Sequence, residues 1–120
     1  ARIGIHDLDP SRGAALAARA REAAPGCAAS SARPVAQGYD IVINATPVGM
    51  QAGDGLPAPL GALNGVRAVV DIVPRPPVTK LLSAAAAAGC RTSGGQAMID
   101  GQADAVLAFF GLRATAADAG

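Results

Sequence analysis

Aromatic residues are almost missing from these 120 residues: one Tyr, two Phe and no Trp. The core must therefore be built from Ala, Val, Ile and Leu, which suits helices packed closely on a sheet. Charge is sparse as well, with 16% charged residues and a net charge of +1. No basic stripe exists to neutralise a phosphate backbone, which argues against nucleic acid as a partner. The two cysteines, Cys27 and Cys90, stand far apart and without metal-ligand spacing, so no metal site is expected and both read as reduced thiols. There is one histidine, His6, beside a strand end, and one lysine, Lys80, which reads as a solvated surface charge. No apolar run approaches the roughly 20 residues of a membrane span, and no signal peptide opens the chain, which together suggest a cytoplasmic protein.

What is present is small and aliphatic: 51% hydrophobic residues, enough for one modest core. Arg2–Asp7 reads as a short strand, followed by Asp9-Pro10 as a helix cap and first helical position. The helix runs to about Ala24, where Pro25-Gly26 stops it. Cys27–Gly38 reads as a loop or weak edge strand, and Asp40–Asn44 as a buried strand. A long loop, Pro47–Gly65, holds five Gly and three Pro. Val66–Val73 is a second β-branched run, Thr79–Ala88 a helix, Arg91–Ser93 a short strand and Gln96–Phe110 a last helix, with a frayed tail from Ala114. Strands that are apolar runs, alternating with helices, predict a parallel sheet covered on both faces: an α/β, Rossmann-like doubly wound domain over residues 1–113. Ligands of such folds lie at the carboxyl ends of strands. Asp7, Asn44–Met50, Asp71–Pro77 and Gly94-Gly95 all fall there.

An acid closing the second strand of a dinucleotide fold binds the adenosine ribose hydroxyls and repels a 2′-phosphate, a role open to Asp7; a turn-starting aspartate is the plainer alternative. The glycine-rich phosphate loop belongs about 20 residues before such an acid. Only six residues precede Asp7. The expectation is thus the latter part of a longer protein, lacking the central first strand and leaving two parallel strands without a neighbour.

Three segments narrow the reading. D-I-V-I-N-A-T-P-V-G-M (Asp40–Met50), D-I-V-P-R-P-P-V-T-K-L-L (Asp71–Leu82) and G-G-Q-A-M-I-D-G-Q-A-D-A-V-L-A-F-F-G (Gly94–Gly111) occur in this order. Together they resemble the cofactor domain of the shikimate/quinate dehydrogenases. The resemblance implies hydride transfer between a nicotinamide and a ring hydroxyl or ketone of a hydroaromatic acid. It implies cofactor contacts from Ile43, Asn44, Ala45 and Thr46 on the first loop, and from Ile72, Gly95 and Met98. Gln102 is implied to hydrogen-bond the substrate. Asp7, in D-L-D-P-S-R, resembles members that prefer NAD, with NADP possible, and Arg12 is implied on the adenosine side.

These roles suit the residues. Gly95 lets a ligand approach its backbone, and Pro47 holds Thr46 extended. The final Phe of the family's last segment falls only near Leu107 and Phe109. A second departure bears on substrate: the family's Tyr in the middle segment is Pro74, which has no hydroxyl. The family's catalytic Lys and Asp belong to a preceding substrate domain, so no catalytic residue is expected within this chain. Two alternatives stay open: a non-catalytic dinucleotide-binding paralogue, and a Rossmann methyltransferase, whose loop would carry an aromatic where Val48 stands.

Overall fold

The computed structural model describes residues 1–112, which form two compact units; Arg113 and the expected tail from Ala114 lie outside the described residues. The first unit comprises Ala1–Ala36 and Ala58–Ala62. Strand β1 (Arg2–Ile5) leads into helix α1 (Pro10–Ala23) and then strand β2 (Ala28–Ser31). The two strands pair in parallel, from Arg2 opposite Ala28 to Ile5 opposite Ser31. Helix α1 starts where the sequence provides a start: Asp9 accepts a hydrogen bond from the Ser11 N–H at 2.9 Å, and Pro10 occupies the first turn, where no N–H is needed. Gly13 and Ala17 are the helix residues that become buried, their small size allowing close approach to the strands. The returning segment is tied in where the Ala36 N–H donates to the Leu60 carbonyl at 2.9 Å.

The second unit comprises Gln37–Pro57 and the chain from Leu63 onward. Strands β3 (Ile41–Asn44), β4 (Ala68–Asp71) and β5 (Arg91–Ser93) form a parallel sheet in that order. Helix α2 (Lys80–Ala87) packs on β4 and β5 and buries Leu81, Leu82 and Ala85 with Val69, Val73 and Cys90. Thr79 caps it by accepting from the Leu82 N–H at 3.2 Å, and Gly89, at φ +80°, turns the chain back into β5. Helix α3 (Gly95–Phe109) follows.

The elements thus fall where hydrophobic periodicity and capping residues put them, and the architecture is α/β and Rossmann-like. Burial departs from expectation. Strand β3 is not a buried strand: Ile41 is 56% and Ile43 62% exposed. Among the described residues it pairs with β4 alone, and its isoleucines share one face of the pleat. Packing is uneven across this sheet, with β5 exposed along its length and β4 deeply packed. The segment 27–38, read as a loop or weak edge strand, contains the regular strand β2.

Candidate functional site

Asn44 and Asp71 stand opposite each other as the last residues of β3 and β4, and the site is built outward from this pair. Beyond them the chain turns sharply twice, and the turns face each other across a cleft of about 260 Å³. One wall is Ala45, Thr46, Pro47 and Met50; the other is Ile72, Val73 and Pro74. The lining is mostly apolar and small, suited to the flat face of an aromatic ring. Of the residues expected from sequence, Ala45, Thr46 and Ile72 come together here. Pro47, Met50, Val73 and Pro74 complete the lining; the sequence places them in the strand-end segments Asn44–Met50 and Asp71–Pro77 without a cofactor role of their own.

Asn44 turns its side chain into the protein. It is only 4% exposed, and its amide has no capacity left for a ligand. Nδ2 donates to Asp71 Oδ1 at 3.0 Å and to the Val48 carbonyl at 3.2 Å. Oδ1 accepts from the Thr46 N–H at 3.0 Å and the Thr46 hydroxyl at 2.8 Å. Asn44 shapes the loop. Thr46 stays exposed at its crest.

The rest of the first wall is pinned by an acid further along. Asp54 accepts at Oδ2 from the Gly49 N–H at 2.8 Å and the Gln51 N–H at 3.0 Å. The Gln51 amide foremost, with the Gly49 amide and then the Lys80 charge, holds its carboxyl below the usual aspartate range. Lys80, expected as a free surface charge, donates to the Asp54 carbonyl.

Gly95 lies against the second wall, and its missing side chain has a cause within the protein. A Cβ there would stand 2.3 Å from the Ile72 carbonyl oxygen and 2.5 Å from the Val73 carbonyl carbon. The glycine is needed so that α3 can start directly over the end of β4. Met98 lies within the first turns of α3, 40% exposed, and Gln102 a turn further is exposed, with no hydrogen-bond partner among the described residues. Met98, Ile99, Gln102, Val106 and Phe109 recur at helical spacing, so the amide sits within an exposed apolar stripe. Ile43 is on the open face of β3 rather than in the cleft lining.

Asp7 and Arg12 belong to the other unit and meet each other there. The Asp7 carboxylate accepts from the Asp9 N–H at 2.8 Å, and Arg12 Nη2 lies 3.2 Å from Asp7 Oδ1. Arg12 also approaches Asp9, at 3.6 Å. Both side chains of the Asp7–Arg12 pair are open to solvent, at 36% and 71%. His6 beside them is exposed.

Parallel strands flanked by helices, with a small apolar cleft at the carboxyl ends of β3 and β4, define a Rossmann-like α/β type of protein. No protein-family model matches the chain. Curated relatives do. The chain is 41% identical over 117 residues to a quinate/shikimate dehydrogenase (NAD(+)) of Corynebacterium glutamicum, covering 92% of the chain and 41% of that protein. It is 45% identical over 78 residues to a shikimate dehydrogenase (NADP(+)) of an Arthrobacter species, covering 64% of the chain and 27% of that protein. A shikimate dehydrogenase (NADP(+)) of Streptomyces avermitilis is 36% identical over 115 residues, 91% of the chain and 40% of that protein. The chain belongs to the shikimate/quinate dehydrogenase family and spans about two fifths of the length of the relatives it matches most fully. Among the described residues, no helix is long and apolar enough to cross a membrane.

Proposed function

We propose that the chain is the nicotinamide-binding domain of a dehydrogenase that interconverts a ring hydroxyl and a ketone of a hydroaromatic acid. The observation that carries this is the 41% identity, across 92% of the chain, to a protein named for quinate, shikimate and NAD(+). The cleft supports it independently. Its apolar walls fit a nicotinamide face, and the exposed Thr46 stands at the crest of the first wall. The cofactor would supply the hydride. The residues of this chain would bind it, orient it and keep water from its face.

NAD is the proposed preference. Asp7 follows the end of β1 by two residues, and a carboxylate there would accept from ribose hydroxyls and repel a 2′-phosphate. Its surface pairing with Arg12 is worth at most about 1 kcal/mol, so ribose hydroxyls can compete for the same oxygens. Gln102 is proposed to reach the substrate, and proton transfer to be supplied by a substrate domain of the same protein, outside these residues. A cytoplasmic setting belongs to the same proposal, supported by the free thiols of Cys27 and Cys90.

NADH binding tests the reading: fluorescence titration of the protein expressed from its complete reading frame should saturate, and Thr46→Arg, which fills the cleft, should abolish saturation. Equal binding by the variant would place the cofactor elsewhere.

A further inference from the structure

Asp71 is 1% exposed and forms no ion pair with a cation among the described residues. Burying an acid without a counter-charge costs free energy that an aliphatic residue at the same place would not. Core filling therefore does not account for it, and its hydrogen bonds do. Oδ1 accepts from Asn44 Nδ2 at 3.0 Å and from the Val73 N–H at 3.1 Å, and Oδ2 accepts from the Thr79 hydroxyl at 2.6 Å. Each bond reaches a different part of the cleft's frame.

Through Asn44 the carboxylate reaches the first wall. The amide it orients binds the Val48 carbonyl and both Thr46 donors, and the Thr46 hydroxyl in turn accepts from the Val48 N–H at 3.2 Å. Through Val73 it reaches the second wall directly. Through Thr79 it reaches the start of α2, whose cap is the same hydroxyl. The Thr79 methyl also underlies the Gly49 turn, 3.5 Å from where a Cβ on that glycine would be. Severing the carboxylate would remove these side-chain ties between the walls and leave the Ile72 N–H bond to the Asn44 carbonyl, at 3.2 Å, to hold them.

We infer that Asp71, with Thr79, is a positioning residue: it sets the spacing between the Ala45–Met50 and Ile72–Pro74 walls and so the fit of a nicotinamide ring. The inference rests on the cofactor reading above for its consequence, though not for its geometry. Three variants separate positioning from mere stability. Asp71→Asn keeps all three bonds, because the carboxamide oxygen faces the two N–H donors and the Thr79 hydroxyl can accept from the new NH₂. Asp71→Ala removes all three, and Thr79→Val removes one while keeping its shape. Leu81→Ala, in the core under α2 and 2% exposed, is a control that loses stability without touching the network.

Two readouts are needed: the NADH dissociation constant, and amide hydrogen exchange at Thr46 and Val48 without cofactor. Asp71→Ala should raise the dissociation constant roughly tenfold, the factor expected for about one net hydrogen bond. It should also speed exchange at both amides. Thr79→Val should shift both readouts in the same direction by a smaller factor. Asp71→Asn should stay within about threefold of the parent, and Leu81→Ala should leave the binding constant unchanged. Parent-like exchange and binding in Asp71→Ala, or in Thr79→Val should the alanine variant not fold, overturns the inference. So does an equal loss of binding in Leu81→Ala. A parent protein that binds no NADH overturns the cofactor reading alone, and the exchange data then decide the role of Asp71.

Discussion

One methyl group at Gly95 would collide with the backbone of Ile72 and Val73, neither of which can swing aside as a side-chain tip could. Gly95→Ala is expected to cost about 2–3 kcal/mol, in the range of an overpacked core, read as a lower urea midpoint. An unchanged midpoint would mean that α3 does not start where it is described. At Asp7, substitution by Asn removes the charge that faces a 2′-phosphate and leaves Arg12 with Asp9 alone. The ratio of kcat/KM for NAD over NADP should fall by about tenfold, equivalent to about 1.4 kcal/mol of discrimination. An unchanged ratio would remove Asp7 from the adenosine site. Asp54 gives a pH signature of definite sign. Its carboxyl titrates below the ordinary aspartate value in the folded protein, so its hold on the loop is complete above that value. It is lost as pH falls through the lowered folded value. The Gly49 and Gln51 amide resonances should therefore move together below about pH 3.9, and Asp54→Asn should abolish that titration.

Helix α3 carries the substrate side of the proposal. Gln102 lies within the stripe of Met98, Ile99, Val106 and Phe109, all open in the described residues. An amide that hydrogen-bonds a ring hydroxyl should contribute about 1–3 kcal/mol, so Gln102→Ala should lower kcat/KM accordingly. Cofactor affinity should barely change. Full turnover in that variant would take the residue out of the site. At this scale the sequence reads well, because caps and breakers act locally: Asp9-Pro10 starts α1, and Gly89 turns α2 into β5. Exposure reads poorly. The I-V-I of β3 has the composition of a core strand, yet what covers a strand depends on neighbours far away in the chain. The site was legible as a region and less so as roles. Asn44 belongs to the loop motif, but only folding brings Asp71 to its amide, from 27 positions away, and Thr79 to the other oxygen of Asp71. That meeting ties the loop to the end of β4.

Among the described residues, two parallel sheets, of two and three strands, leave every strand but β4 with one strand neighbour. Unpaired strand edges template further pairing. The 120-residue chain by itself should associate, with a sedimentation coefficient that rises with concentration in the micromolar range. A monomer at all concentrations with a cooperative melt would show that those edges are silent. The central claim concerns chemistry, and initial-rate kinetics test it most directly. The protein expressed from its complete reading frame is given NAD or NADP at equal concentration, with quinate or shikimate. The account predicts cofactor reduction with at least one of these ring acids, and a higher kcat/KM with NAD than with NADP. Absence of reduction with both acids and both cofactors, in a protein shown to be folded, would contradict it.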